Sequence, residues 1–190
     1  MDNCFKDDEF IVFDVETTGL NCEIDRICEI AAVKIKRLVI VDKFSSLVNP
    51  QRDIPDHVSK IHKITNQDVS NSPVFADVWP EFNRFLGRAP LLAYNGGFDL
   101  GFLDKQLQLD NLSLNNPVLD ILLMAKFSFK QLSRYRLIDV CRFLDIEVQC
   151  FHRALADAEA AAEVFLKMIV YFKNNDIDNF EKLYSMFKIR

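Results

Sequence analysis

Two carboxylates lie on one predicted strand near the start of the chain. Residues 10–16 read FIVFDVE, and the run from Phe10 to Phe13 is typical of a buried strand. Side chains alternate faces along a strand, so Asp14 and Glu16 point the same way, with Cα atoms about 6.6 Å apart. Buried carboxylates at this separation repel each other unless a cation lies between them. The pair predicts a cation site, and a solvent-facing strand end is the alternative left open.

The sequence TTGL, residues 17–20, follows these carboxylates directly. Gly19 permits backbone angles that other residues avoid, and Thr17 and Thr18 supply hydroxyl groups. A turn here would expose backbone N–H groups and could hold the end of a polar ligand. An ordinary turn explains the same residues, so both interpretations stay open.

Asp99 is a third carboxylate in an unusual place. It follows a short apolar strand (91–95) and two glycines, near the start of a helix predicted over 98–108. An acid at a helix N-terminus is favoured by the helix dipole, which explains Asp99 without a ligand. Asn95, at the strand end, is either a turn residue or an amide that positions a ligand.

The strongest predicted helix covers residues 153–173. Its core stripe repeats at spacings of three and four: Leu155, Ala158, Ala162, Phe165, Ile169 and Phe172. Asp157 falls in line with a second apolar row formed by Ala161, Val164 and Met168. Many alanines allow this helix to lie close to the sheet, which would bring Asp157 against the strand of Asp14 and Glu16. His152, at or before the helix start, is either a cap or surface residue or a proton acceptor.

Four acids and one imidazole are thus expected at the ends or edges of regular elements. Mg²⁺ and Mn²⁺ prefer oxygen ligands of this kind. Two such ions about 3.5–4 Å apart could neutralise the acids and stabilise an in-line displacement at phosphorus. The imidazole could then take a proton from the attacking water.

The order of elements predicts the fold class. Strands at 10–17, 27–35 and 41–50 form an antiparallel meander, and helices then alternate with two further strands. This order predicts an α/β domain with a central mixed five-stranded sheet flanked by helices. We expect one domain over 1–190, with a motif-bearing core at about 9–172 and a C-terminal helix at about 176–188. Residues 50–57 are predicted as loop, and Ser72-Pro73 as the opening of a helix that ends near Leu86.

Composition narrows the class of protein. The apolar share is 49% and the charged share 27%, as in ordinary soluble globular proteins, and the formal charge of −5 gives no overall field that attracts nucleic acid. The acidic N-terminus has no signal-peptide core, and no apolar run reaches the about 20 residues that cross a bilayer. We therefore expect a cytoplasmic protein without a membrane partner. Its five cysteines are predicted to be reduced and mostly buried: Cys4, Cys22, Cys28, Cys141 and Cys150.

One local segment could compensate for the acidic total. Residues 126–137 read KFSFKQLSRYRL, with four cations, three aromatic residues and no acid. The cations could attract phosphates and exposed rings could stack on bases. A solvated face over a phenylalanine core explains the segment equally well.

Three motifs together resemble the DEDDh 3′–5′ exonucleases. FDVETTG is similar to the first motif of that family, NGGFD to the second (N-x-x-F-D) and HRALAD, from His152, to the third (H-x-A-x-x-D). The resemblance extends over about residues 9–172. It is strongest to the proofreading exonuclease (epsilon) subunit or domain of bacterial DNA polymerase III and to its stand-alone relatives.

The resemblance implies a ribonuclease H-like fold and hydrolysis assisted by two divalent ions, Mg²⁺ or Mn²⁺. Asp14 would bridge both ions, Glu16 and Asp157 would hold the ion that activates water, and Asp99 would serve the other. His152 would be the general base, and a 5′-mononucleotide would leave from a 3′ end. The terminal nucleotide would bind at Thr17, Thr18, Gly19 and Leu20, with Asn95 and Phe98 shaping the pocket.

Two departures leave the substrate open. Tyr94 stands where many relatives have His, and Lys63 stands where many have Gly. Single-stranded DNA is the favoured substrate, and an RNA 3′-exonuclease that trims tRNA or degrades short oligoribonucleotides is the alternative. A catalytically silent module that binds nucleic acid or a polymerase is a third hypothesis. The sequence does not decide whether the protein works alone, with a DNA polymerase subunit or as a homodimer.

Overall fold

The computed structural model of the protein describes residue 5, residues 8–148 and residues 151–190. Its centre is a five-stranded sheet in the order β3-β2-β1-β4-β5. The strands are β1 (Glu9–Thr17), β2 (Ile27–Lys36), β3 (Val39–Leu47), β4 (Leu91–Ala93) and β5 (Val118–Asp120). The first three pair antiparallel, and β1, β4 and β5 run parallel. This mixed sheet confirms the predicted fold class.

Eight helices are assigned within the described residues. They are α1 (Asp56–His62), α2 (Asn66–Val69), α3 (Phe75–Leu86), α4 (Gly96–Leu109), α5 (Ile121–Ser128), α6 (Leu137–Phe143), α7 (Ala154–Asn174) and α8 (Phe180–Phe187). The loop predicted over 50–57 is wrong at its end, because α1 begins at Asp56. The predicted start of α3 is also wrong: Pro73 lies before the helix, where its carbonyl accepts a hydrogen bond from Asn49 N–H.

The two faces of the sheet bury different cores. On β1, Phe10 and Val12 pack against α7, whereas Ile11, Phe13 and Val15 pack on the side of α3 and α4. The strand alternates as its sequence predicts, so Asp14 and Glu16 continue the face that α7 covers.

The small residues of α7 let the helix lie directly on β1 and β2. Ala154, Ala158 and Ala162 are fully buried, and Ala161 is 2% exposed. A larger side chain at such a position would overpack the interface at a cost of about 1–3 kcal/mol. The packing of these alanines therefore requires α7 to lie close to β1 and β2. This close approach brings Asp157 toward the sheet.

Three cysteines fall within the described residues, and all three are free thiols. Cys28 and Cys141 are buried, whereas Cys22 is partly exposed; Cys4 and Cys150 lie outside the described residues. Burial raises the pKa of Cys141 to about 11, so its thiol is unreactive at neutral pH.

The aromatic residues of segment 126–137 do not form an exposed stacking surface. Phe129 is 8% exposed, and Phe127 and Tyr135 pack against the core on the α7 side of the sheet. Of the two interpretations left open for this segment, the structure favours a solvated face over a phenylalanine core, because these rings fill the space beside α7. Separately, no helix in the described part of the chain is long and apolar enough to cross a bilayer.

Candidate active site

Three carboxylates converge where the end of β1 meets the first turns of α7. One carboxylate oxygen from each of Asp14, Glu16 and Asp157 lies within 4.8 Å of the other two. The strand alternation supplies Asp14 and Glu16 on one face, and the close packing of α7 supplies Asp157. Hard divalent cations bind such oxygen clusters.

Asp99, which lies on α4, contacts the same strand, β1. It lies in the first turn of α4, is 4% exposed and accepts a hydrogen bond from Val15 N–H (3.1 Å) at Oδ1. It is not part of the three-oxygen cluster, but its charge acts directly on Asp14 and raises the pKa of that carboxyl. Asp99 thus adjoins the cluster through Asp14.

Burial and mutual repulsion disfavour the ionised forms of these carboxyl groups. Burial, followed by the charges of Asp99, Glu16 and Asp157, raises the pKa of Asp14 well above its usual range. Burial and then Asp157 raise the pKa of Glu16 to about 8. Burial likewise raises the pKa of Asp99 to about 8 and outweighs its backbone hydrogen bonds.

One buried oxygen of the site has no partner among the described residues. Asp157 Oδ2 accepts a hydrogen bond from His152 N–H (3.0 Å), whereas Asp157 Oδ1 is buried and accepts none. A buried acceptor without a donor costs free energy. An acceptor oxygen without a donor, beside two carboxyls whose pKa values are raised, fits the binding of a divalent cation. Asp14, Glu16 and Asp157 are the residues that would hold it.

The raised pKa values predict how metal-free stability depends on pH. The folded protein binds protons at Glu16 and Asp99 more tightly than the unfolded chain does, so these groups destabilise the fold as they ionise. We expect the melting temperature of the metal-free protein to fall as pH rises from about 5 to about 8, the window between the usual value near 4.5 for Glu16 and its raised value. The stabilisation by added Mg²⁺ should grow over the same window, which thermal melts with and without EDTA would measure. A Mg²⁺ effect that is equal at pH 5 and pH 8 would contradict this account.

His152 stands beside the cluster on a strained backbone. Its φ is +65°, and its side chain is exposed. The His152 N–H bond to Asp157 ties this residue to one of the three carboxylates. The backbone of residue 152 is therefore tied to the acids, and its imidazole is open to solvent.

Glu29 is a fifth acid that sequence reasoning missed. It lies opposite Glu16 in the β1–β2 ladder and is 2% exposed. Its carboxylate accepts hydrogen bonds from Arg153 Nη2 (2.6 Å) and from Ala154 N–H (2.9 Å). It therefore fixes the start of α7 between His152 and Asp157. The available signal was an acid inside the otherwise apolar strand ICEIAAVKI.

Glu29→Gln is expected to weaken the site without removing a ligand. The amide keeps the size of the side chain but loses the ion pair with Arg153, so His152 and Asp157 are less firmly placed. Supporting residues of this kind change metal affinity or activity by about 10–100-fold. Mg²⁺ titration and kcat/KM would both report the change. Asp104→Asn, which breaks the remote ion pair with Arg190, is the matched control; equal effects of the two variants would contradict the positioning role.

The turn after β1 is built around the carboxylate of Asp25. This carboxylate accepts hydrogen bonds from Thr18 Oγ1 (3.3 Å) and Asn21 N–H (3.0 Å), while Thr17 Oγ1 donates to the Gly19 carbonyl (2.6 Å). A Cβ on Gly19 would overlap the Asp25 carboxylate, so an alanine at this position has to displace that side chain. Leu20 at the tip is 88% exposed, which leaves its side chain free to contact a ligand.

Gly19→Ala is expected to displace Asp25 and loosen this turn. The loss of its hydrogen bonds should destabilise the protein by about 1–2 kcal/mol and raise KM more than it lowers kcat. Gly97→Ala makes the same chemical change where no atom lies within 4 Å of the added Cβ. Thermal melts and steady-state kinetics of the two variants would test this, and an unchanged KM in Gly19→Ala would exclude a binding role for the turn.

A cavity of about 510 Å³ opens beside the carboxylates. It is lined by Glu16, the turn of residues 17–20, Phe98 and four residues of α1: His57, Val58, Ile61 and His62. Its size is within the range of small-molecule sites. Because the sequence predicts part of α1 as loop, it does not predict this wall.

His62 anchors α1 to the sheet. Its Nδ1 accepts a hydrogen bond from Ile64 N–H (3.1 Å), and its Nε2 lies 3.9 Å from the Sγ of the buried Cys28. Burial lowers the pKa of His62, so the ring is neutral at pH 7. Its role here is to hold the cavity wall.

Asn95 differs from the other predicted pocket residues. It precedes α4 in a left-handed conformation (φ +61°), is exposed and makes no side-chain cap hydrogen bond. It is absent from the residues that line the cavity, whereas Phe98 is among them. The structure thus brings Phe98 to the cavity and leaves Asn95 at the entrance to α4.

Comparisons with known proteins agree with this geometry. The family model RNase T, described as an exonuclease, matches residues 11–165. A DNA polymerase III PolC-type protein of Oceanobacillus iheyensis is 41% identical over 174 residues, which are 91% of this chain and 12% of that protein. A DNA polymerase III subunit epsilon of Treponema pallidum is 41% identical over 165 residues, 85% of this chain and 77% of that protein.

Solved structures show the same fold. Exonuclease X in complex with 5′-overhanging duplex DNA has a TM-score of 0.74 and 24% identity, over 93% of this chain and 98% of that one. The nuclease domain of 3′hExo, a DEDDh family member bound to rAMP, has a TM-score of 0.76 and 22% identity, over 86% and 92% of the two chains. The family match confirms the resemblance drawn from the three motifs: the chain belongs to the RNase T exonuclease family.

Proposed function

We propose that this protein is a metal-dependent 3′–5′ exonuclease that acts on single-stranded DNA. One observation carries the proposal: the oxygen cluster of Asp14, Glu16 and Asp157 adjoins a cavity of nucleotide size. The reaction hydrolyses the last phosphodiester bond and releases a 5′-mononucleotide. Proofreading or repair is the setting proposed for it, because the relatives include DNA polymerase III proteins.

The acids have separate roles in this proposal. Asp14, Glu16 and Asp157 hold one divalent ion, and Asp99 together with Asp14 serves a second. Two bound Mg²⁺ or Mn²⁺ ions would neutralise charge that develops at the phosphorus and make a bound water more acidic. The mutual repulsion of the carboxylates and the unpaired Asp157 Oδ1 support this assignment.

His152 is the proposed general base. Its backbone N–H bonds to Asp157 and its imidazole is exposed, which supports a place beside the attacking water. The ring would accept the proton of that water, which is the usual role of a histidine general base. The backbone bond to Asp157 keeps the ring near the reacting phosphorus.

The cavity beside Glu16 is the proposed site of the 3′-terminal nucleotide. The backbone of the turn at Thr17 and Thr18 faces the sugar, and the exposed Leu20 packs against the base. Phe98 shapes the side of this site that α4 contributes, and Asn95 shapes the start of α4 outside the cavity lining. DNA is favoured over RNA because the relatives of high identity are DNA polymerase III proteins, and structural neighbours named for histone mRNA and rAMP keep RNA as the second candidate.

We further propose a cytoplasmic enzyme of one domain that works with a DNA polymerase. The chain spans 12% of the PolC-type relative and 77% of the epsilon relative, so a polymerase partner is inferred from their names alone. A homodimer is the other assembly that this proposal admits. Size-exclusion chromatography with light scattering would separate monomer from dimer.

A single assay tests the activity. DNA and RNA strands of matched sequence are incubated with the protein in Mg²⁺, in Mn²⁺ and in EDTA. We expect 5′-mononucleotides from DNA in either metal, slower release from RNA, and none in EDTA. Faster release from RNA would transfer the assignment to an RNA 3′-exonuclease. Tight strand binding without turnover in either metal would identify a silent binding module.

A further inference from the structure

The loop between α5 and α6 presents cations that the active site does not use. This basic loop, residues 129–136, carries Lys130 and Arg134 on exposed side chains, and the exposed Lys126 precedes it on α5. Within the described residues, none of these three cations has an acidic group within ion-pair distance. Arg136 differs, because it makes two hydrogen bonds to Asp139 (2.7 and 2.9 Å).

The aromatic residues of the loop, the buried Phe129 and the half-buried Tyr135, fix its backbone. Tyr135 donates its hydroxyl to the Phe129 carbonyl (2.7 Å), which closes the loop on itself. Phe129 packs against Phe143 and Tyr171. Because the rings are used for packing, the loop offers solvent its charges and few faces for stacking.

A hydrogen bond places the basic loop at the active-site end of the sheet. Tyr94 donates its hydroxyl to the Tyr135 carbonyl (2.7 Å). Tyr94 directly follows β4 and lies two residues after Leu92, which pairs with Val12 of β1, while Asp14 lies two residues after Val12. Both Leu92 and Tyr94 belong to the core on the α7 side, the face from which Asp14 and Glu16 project. The side chain of Tyr94 thus links the loop to the end of the sheet at which β1 carries the acids.

We propose that the basic loop binds the phosphates of the strand that leads into the active site. This inference rests on the proposed function and adds a second contact region to it. The acids repel a polyanion until metal is bound, so unpaired cations beside them are needed to hold the rest of the strand. Contacts to phosphates are independent of base sequence. The loop therefore acts on long strands and leaves the chemistry at the last nucleotide unchanged.

The test compares two variants of equal charge. Lys130→Gln with Arg134→Gln removes two cations of the loop, and Arg84→Gln with Arg88→Gln removes two exposed cations of the α3 region on the opposite face. Each protein is assayed in Mg²⁺ on a 20-nucleotide single strand and on the p-nitrophenyl ester of thymidine 5′-phosphate, which offers one nucleotide only. Salt dependence is recorded for the long strand.

We expect the loop variant to show a several-fold higher KM on the 20-mer with kcat unchanged. Its slope of log affinity against log salt should be shallower by about 1.4, since each phosphate contact on a single strand contributes about 0.7. Turnover of the one-nucleotide ester should equal that of the wild type. A loop variant that matches the Arg84 and Arg88 control in KM and in salt slope would overturn the proposal and leave the loop as a surface for another partner.

The outcome is separable from the exonuclease assignment. If the wild type hydrolyses neither substrate, the proposed function fails. Fluorescence anisotropy of the labelled 20-mer with the same variants, in EDTA at low salt, then decides the loop alone. Weaker binding by the loop variant relative to its control supports the surface, and equal binding refutes it.

Discussion

Asp14→Asn is expected to abolish turnover and, in the absence of metal, to make the protein more stable. Burial, followed by the charges of Asp99, Glu16, Asp157 and Glu29, raises the pKa of Asp14 and disfavours its ionised form. Removing this charge relieves repulsion in the metal-free fold but also removes an oxygen from the proposed ion site. We expect activity to fall by about 10³-fold or more, by analogy with the loss of a group that stabilises developing charge. The melting temperature in EDTA should rise at pH 8, by about 2–4 °C for each kcal/mol recovered.

Measuring both activity and melting temperature distinguishes the loss of a site residue from misfolding of the variant. A variant that merely misfolds would lose activity together with stability, whereas this one should lose activity and gain stability. Stabilisation by Mg²⁺ should shrink at the same time. Asp42→Asn, on the exposed part of β3, is the control for removing one negative charge. Turnover in Asp14→Asn close to that of the control would sink the assignment of the site.

His152→Ala is expected to lower kcat by about 10²–10⁴-fold, the usual contribution of a general base. The side chain is exposed and Asp157 is held through the backbone N–H of residue 152, so the substitution leaves the carboxylates in place. Binding of Mg²⁺ should therefore stay close to that of the wild type.

Added imidazole separates a chemical role of His152 from a structural one. A free base that diffuses to the vacated position should restore part of kcat in His152→Ala and leave the wild type unaffected. Loss of Mg²⁺ binding together with kcat, without rescue, would assign His152 to the architecture of the α7 start. Unchanged kcat would remove it from the mechanism altogether.

The sequence predicts the fold correctly wherever a single spacing of apolar residues, that of a helix or of a strand, dominates a segment. The spacing of apolar residues over 153–173 predicts α7, and the run of strand formers from Phe10 to Phe13 predicts β1; both lie within a residue or two of their positions. These elements succeed because burial of one face decides their structure. The core that packs between them then follows from the same pattern.

Short helices were harder because local hydrogen bonds decide them. α1 has seven residues and begins after Pro55 without a side-chain cap, so no periodic stripe announces it. α2 has four residues and is held by a capping box between Thr65 and Asp68. The residues of that box are readable in the sequence, but four residues are too few to show a helical period. The cavity wall formed by α1 was missed for this reason.

The candidate site shows a similar division. Asp14 and Glu16 on one face follow from strand alternation, and Asp157 on an apolar row of α7 is a visible anomaly. The link between Glu29 and the start of α7 joins residues far apart in the chain, and it depends on the β1–β2 register and on how α7 docks. Neither is readable from a single strand. Glu29 could be suspected as a buried acid, but its partner could not be named.

Hydrogen-bond donors divide the acids of the site into two groups. Both oxygens of Glu29 are taken by Arg153 and Ala154, and one oxygen of Asp99 is taken by Val15. Within the described residues, no donor reaches Asp14 or Glu16, and Asp157 keeps one oxygen open. The number of lone pairs left vacant, rather than the number of negative charges, therefore limits what this pocket can coordinate. Counting all aspartates and glutamates would therefore overestimate the number of metal ligands. The oxygens that can bind a cation are those that do not already accept a hydrogen bond from an amide or guanidinium N–H.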